Sequence, residues 1–175
     1  QGGNVFGWTA DVANSEAVLS HFADNGGNFI DTADMYSEWG SGNVGGESET
    51  IIGNWLKKRG GRDSLVIATK VAKLSTRRGL SAKNLQAACE DSLSRLQTDY
   101  IDLYYAHEDD PQTPLQETLG AFDSLIQSGK VRYIAASNFT AERLQKSLEV
   151  SRENGFAAYV AAQDPVSYTH LTLPT

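Results

Sequence analysis

Seven side chains that can do chemistry fall at the ends of apolar runs. Asp31 and Tyr36 lie in NFIDTADMYS (28–37), Lys70 in LVIATKV (65–71) and His107 at the end of YIDLYYAH (100–107). Ser137 and Asn138 close VRYIAASN (131–138), and Gln163 sits in AAQD. An acid, a phenol, an amine and an imidazole together suit proton delivery to an oxygen that gains negative charge. A phenol, with a reference pKa near 10, is a poor donor until a cation stands beside it. Lys70 can supply that cation, Asp31 can keep it charged and aimed, and His107 can orient the oxygen by a hydrogen bond. Paired carboxylates, as a glycosidase or metal hydrolase needs, would have to come from different strand ends. Asp31 has no such partner. Glu108, Asp109 and Asp110 cluster on one loop and read as solvated charge at a pocket rim.

The elements that must position these residues alternate. Gly3 to Thr9 predicts a first strand, and Ser15 opens a helix with Val18, Leu19, Phe22 and Ala23 on one face, stopping at Asn25-Gly26. Asn28 to Ala33 predicts a second, buried strand with Asp31 at its C-terminal end and Tyr36 on the loop beyond. Glu47 to Arg59 carries Ile51, Ile52, Trp55 and Leu56 at helical spacing. Leu65 to Val71 is the third strand; Ser81 then caps a helix with Leu85, Ala88, Cys89, Leu93 and Leu96 on its stripe, and Tyr100 to His107 is the fourth strand. Thr113-Pro114-Leu115-Gln116 has the form of a capping box with proline at the first helical position, opening a helix that ends at Gly129. Val131 to Asn138 is the fifth strand, Thr140 opens a helix to Asn154-Gly155, and Ala157 to Gln163 is the sixth strand.

The strands are near-continuous apolar runs, as expected where helices cover a parallel sheet. The class is therefore α/β, either an open doubly wound sheet or a barrel. An open sheet gathers its site at one switch point, whereas every strand of a barrel points at a common centre. Polar tips on five consecutive strands favour an incomplete (β/α)8 TIM barrel of about five βα units plus a sixth strand.

Composition excludes other classes. With 175 residues, 40% hydrophobic and 21% charged, the chain has enough apolar material for one globular core. A net charge of -7 argues against a nucleic-acid surface. No apolar run reaches the length of a membrane span, and the single cysteine, Cys89, excludes an internal disulfide and fits a cytoplasmic protein.

FIDTADMYS, IATK, YYAH, ASNF and the glutamine of AAQD, in that order and each at a strand end, resemble the aldo-keto reductase family from about Gly2 to Asp164. The resemblance implies reduction of an aldehyde or ketone to an alcohol with NADPH, or NADH, as hydride source. It matches Asp31, Tyr36, Lys70 and His107 to a catalytic tetrad with Tyr36 as proton donor. It matches Ser137, Asn138 and Gln163 to contacts with the nicotinamide carboxamide, and Gly3, Asn4 and Asp31 to positions beside the cofactor. The implied partner is a small carbonyl substrate, with no nucleic acid and no membrane. A cofactor-sensing binding protein of the same fold, like a channel β subunit, would carry the same residues.

Three further stretches carry expectations. GSGNVG (40–45) satisfies G-x-G-x-x-G, but Met35 to Trp39 separate it from the preceding strand, so it is expected to be a flexible loop rather than a phosphate cradle. Trp39 can line a substrate pocket, and His21, inside the first helix, reads as a surface or packing residue. A complete barrel takes roughly 250 residues, so strands seven and eight, with the loops that distinguish NADPH from NADH, are expected to be missing. Residues 1–165 then form a partial barrel, and VSYTHLTLPT (166–175), which resembles a translated sequencing adaptor, is expected to be a non-native tail; the chain alone is expected to be inactive.

Overall fold

The computed structural model describes residues 1–163. The expected non-native tail at 166–175 lies outside the described residues. Five helices and five strands alternate: α1 (Val12–Asp24), β1 (Phe29–Asp31), α2 (Glu47–Arg59), β2 (Val66–Val71), α3 (Ala82–Leu96), β3 (Ile101–Ala106), α4 (Leu115–Gln127), β4 (Val131–Ser137), α5 (Ala141–Asn154) and β5 (Ala162–Gln163). All pairings are parallel, in the order β1-β2-β3-β4-β5, so each strand lies beside its predecessor. The result is a curled half-barrel, an incomplete TIM barrel.

Alternation along the strands divides the side chains between two faces. Ile67, Val71, Tyr104, Ala106, Ile134 and Ala136 face outward and join Ile52, Leu56, Leu85, Cys89, Leu119 and Phe122 of the helices in the main core. Ala68, Leu103, Tyr105 and Ala135 form a smaller cluster on the inner face. Lys70 shares that inner face and stands in register with Tyr105. Gly53 lets α2 and α3 approach closely: a Cβ there would lie 2.1 Å from the Arg95 carbonyl oxygen.

Of the first expected strand, Gly3 to Thr9, only Gly3 pairs with β1, and the pairing extends back to Gln1 instead. Gly2 bridges Asp31, with Gly3 N donating to Asp31 O at 2.8 Å and Asp31 N to Gln1 O at 2.8 Å. Residues 4–10 instead fold on themselves, Phe6 N donating to Gly3 O at 3.1 Å and Trp8 N to Val5 O at 3.1 Å. Apolar content alone did not distinguish this turn from a strand. Helix α1 begins earlier than Ser15 because Asp11 caps it, its Oδ1 accepting from Asn14 N at 2.8 Å. The capping box at Thr113 does not form: Pro114 is the N-cap residue, and the Thr113 hydroxyl donates to Asp110 Oδ2 at 2.7 Å. The sixth expected strand contracts to Ala162–Gln163, although Val160 N already donates to Ile134 O at 2.9 Å.

Candidate active site

Parallel topology puts the C-terminal ends of all the strands on one rim. Asp31 ends β1, Lys70 is the penultimate residue of β2, His107 follows β3, Ser137 ends β4 and Gln163 ends β5. Lys70 is the hub. Its ammonium, fully buried, donates to Asp31 Oδ2 at 2.6 Å, to Tyr36 Oη at 3.0 Å and to the Thr32 carbonyl at 3.0 Å. An ammonium has three donors, and each is used here. The same nitrogen lies 4.7 Å from the Tyr36 ring centroid and 5.6 Å from that of Tyr105.

The loop from β1 to Tyr36 is held by backbone contacts and small polar side chains. Thr32 N donates to Ala68 O at 2.9 Å, Asp34 N to Lys70 O at 3.1 Å and Tyr36 N to Ala33 O at 3.2 Å. Ser37, in the left-handed region at φ 71°, donates its hydroxyl to Phe6 O at 2.7 Å. Beneath the loop, Thr32 Oγ1 donates to Ser48 Oγ at 2.8 Å, which donates in turn to Gly3 O at 2.7 Å. Gly3 is glycine because of that packing. A Cβ there would stand 2.8 Å from Ser48 Oγ and 3.2 Å from Asp31 O.

His107 completes the cluster. Its ring meets that of Tyr36 edge to face, with centroids 5.8 Å apart. Burial, reinforced by the Lys70 and Lys73 charges, holds its pKa down to about 3, so the imidazole is neutral at physiological pH. Its Nδ1 is buried without a protein partner among the described residues. The backbone is clamped on both sides: His107 N donates to Val71 O at 2.9 Å, and the Asn138 side chain donates to His107 O at 2.8 Å. Asn138 also reaches Ser137 Oγ at 3.0 Å, from a left-handed backbone at φ 57°. Gln163 stands opposite Ser137 in register, so hydroxyl and amide side chains line adjoining strand ends.

A part-buried phenol–ammonium–carboxylate contact beside a neutral imidazole can donate a proton to oxygen and stabilise the phenolate left behind. The family model for the aldo/keto reductase family matches residues 1–171. The chain belongs to this family. The chain of this aldo-keto reductase is 34% identical over 188 residues to Protein tas of Escherichia coli (strain K12), covering 93% of this chain and 54% of that protein. It is 36% identical over 176 residues to the uncharacterized oxidoreductase YrpG of Bacillus subtilis (strain 168), covering 95% of this chain and 53% of that one. Norsolorinic acid reductase B of Aspergillus parasiticus is 36% identical over 157 residues, 84% of this chain and 39% of that protein. The chain thus spans about half the length, or less, of these relatives.

The sequence offered Trp39 as a pocket-lining residue but gave no part in the candidate site to Trp8, which the structure brings beside it. Trp8 packs edge to face on Trp39 at 5.7 Å, and Trp39 lies 6.2 Å from Tyr36, so an aromatic wall rises beside the phenol. Trp8 fell within the first expected strand, Gly3 to Thr9, and the turn that brings it there runs through Gly7, whose φ is 80°. Four of the six backbone amides of the glycine loop at 40–45, those of Gly40, Asn43, Val44 and Gly45, are engaged within the protein. Glu47 accepts from Val44 N at 2.7 Å and Gly45 N at 3.0 Å, while Asn43 Nδ2 donates to Gly7 O at 2.9 Å and Ser37 O at 2.8 Å. Asn4 is exposed. The acidic loop is structural in part: Arg143 binds Asp109 at 2.8 Å, and Asp110 accepts from Leu80 N at 2.9 Å. Among the described residues no helix is long and apolar enough to cross a membrane.

Proposed function

We propose that this chain supplies the catalytic half of an NAD(P)H-dependent reductase that converts an aldehyde or ketone to its alcohol. The observation that carries the reading is the contact of Lys70 Nζ with both Tyr36 Oη at 3.0 Å and Asp31 Oδ2 at 2.6 Å, beside the neutral His107. Family membership and the oxidoreductase names among the relatives support carbonyl reduction in general.

The residues present fit a nicotinamide. Ser137, Asn138 and Gln163 offer hydroxyl and amide groups at adjoining strand ends, matching a carboxamide. When bound, that group supplies the hydride. The protein's part is the proton and the field around it. His107 holds the carbonyl oxygen through its one ring N–H, and Tyr36 Oη delivers its proton to that oxygen as negative charge develops there. The ammonium of Lys70, still bound to Oη, stabilises the phenolate; Asp31 balances that fully buried ammonium. Such general-acid assistance contributes roughly 10²–10⁴-fold in rate.

The remaining strands of the barrel, the choice of NADPH over NADH, and a cytoplasmic location belong to the same proposal. The cradle for the cofactor phosphates then lies on elements beyond the five described strands, and residues 1–175 alone are inactive. Single-turnover oxidation of bound NADPH by a small aldehyde in the full-length protein tests the reading. Oxidation at a rate set by aldehyde concentration supports an enzyme; tight binding of NADPH with no turnover of any aldehyde or ketone refutes it in favour of a cofactor-sensing protein.

A further inference from the structure

Asp34 lies between Asp31 and Tyr36, and the proposed chemistry does not use it. Its side chain is fully buried, and neither carboxyl oxygen has a hydrogen-bond partner among the described residues. The path of the loop drives it inward. Asp34 N is tied to Lys70 O at 3.1 Å, Thr32 N to Ala68 O at 2.9 Å and Ser37 Oγ to Phe6 O at 2.7 Å, so the carboxyl reaches water only if the loop lifts.

Charged and titratable groups face it from each neighbouring element. From α2 comes Glu49, fully buried, which accepts from the Thr69 hydroxyl of β2 and from Arg95 Nε of α3 at 2.6 Å. From the segment between β2 and α3 comes Arg77, whose guanidinium binds Asp91 at 2.8 Å. From β3 comes the buried Tyr104 hydroxyl. Arg95 is matched by Glu49, and Arg77 binds Asp91 through Nη2 while its buried Nε has no partner among the described residues, so the one cation left to a second carboxylate beside Glu49 is already shared. Burial and then the Glu49 charge push the Asp34 carboxyl up to about 8, against the opposing pull of Arg95 and Arg77.

We infer that Asp34 is a positioning residue for Tyr36: as a neutral acid it seats the Tyr36 loop on β2, and its ionisation lifts that loop away from Lys70. The inference rests on the reading of Tyr36 as proton donor. Ionisation puts a poorly matched charge beside Glu49 where both side chains are fully buried, and the escape route is the loop itself.

The test is near-ultraviolet circular dichroism of the Tyr36–Trp39–Trp8 cluster in the full-length protein, followed between roughly pH 6 and pH 10 beside the rate of aldehyde reduction. The wild-type signal is expected to change with a midpoint near 8, with the alkaline limb of kcat tracking it. Asp34→Asn, which stays neutral, is expected to lose both transitions. Glu49→Gln is expected to move the midpoint to lower pH, and it decides the matter if Asp34→Asn does not fold. An unchanged transition in Asp34→Asn, or an unmoved midpoint in Glu49→Gln, overturns the inference. No turnover at any pH, with the dichroism transition obeying both variants, refutes Tyr36 as donor while leaving Asp34 as the group that seats the loop. Normal turnover with a limb indifferent to both variants refutes the Asp34 role alone.

Discussion

Replacing Lys70 by methionine separates the structural and chemical roles of the site. Met fills similar volume but removes a fully buried cation that holds three acceptors. Asp31, only 16% exposed in its side chain, would be left with both oxygens orphaned, since Oδ1 already lacks a partner among the described residues. Removing one member of a buried ion pair costs about 3–5 kcal/mol. The orphan charge can be removed as well: Asp31→Asn with Lys70→Met should recover most of that loss. Activity should not follow. Without the cation beside Tyr36 Oη, both variants should lose roughly 10²–10⁴-fold in kcat, or about 2.7–5.4 kcal/mol of transition-state stabilisation. The assays are urea unfolding at constant slope and consumption of reduced nicotinamide, both in the full-length protein. A Lys70→Met variant as stable as wild type, or a double variant that regains activity, refutes the reasoning.

Three other outcomes follow from the geometry. His107 resists protonation down to about 3 when folded but takes up a proton near its ordinary 6.5 when unfolded, so its stabilising share is fully present above 6.5 and is lost as pH falls towards 3. The loss amounts to at most about 5 kcal/mol, and His107→Gln should flatten this part of the acid-unfolding profile. Asn138→Gly keeps the left-handed backbone but releases His107 O, whereas Asn138→Ala adds about 1 kcal/mol of backbone strain; both should lower kcat, and only the alanine variant should lose this extra stability. Residues 1–175 expressed alone should aggregate and show no reductase activity, because β5 has no neighbour on its outer edge among the described elements; size-exclusion chromatography and a turnover assay check it, with a monodisperse active preparation as the contrary result.

Much of the site was legible because barrel geometry turns order along the chain into position on a rim. Asp31, Lys70, His107, Ser137 and Gln163 each sit at or beside a strand end; register sets Asp31 opposite Ala68, and Lys70, two residues on and on the same face, reaches it with its long side chain. The supports were not legible. Ser48, Glu49 and Arg95 sit in helices where sequence suggests ordinary polar faces, yet Ser48 and Glu49 are fully buried under the Tyr36 loop. Their burial depends on helix rotation, which the apolar stripe of α2 specifies only to within a residue or so. Residues 4–10 were misread for a related reason: Val5 and Phe6 are apolar enough for a strand, but Gly7, at φ 80°, reverses the chain. Asn138 was read at its strand end, but its second task, fixing the His107 backbone, depends on a left-handed conformation that sequence does not display.

The central claim is that Tyr36 delivers the proton. Tyr36→Phe keeps the ring against His107 and Trp39 and removes only the hydroxyl that Lys70 contacts at 3.0 Å. Single-turnover reduction of an aldehyde by this variant in the full-length protein, with NADPH affinity measured alongside, is the direct test. The account predicts a fall of at least roughly 10²-fold in the chemical step with cofactor affinity nearly unchanged. A chemical step as fast as that of wild type would contradict it.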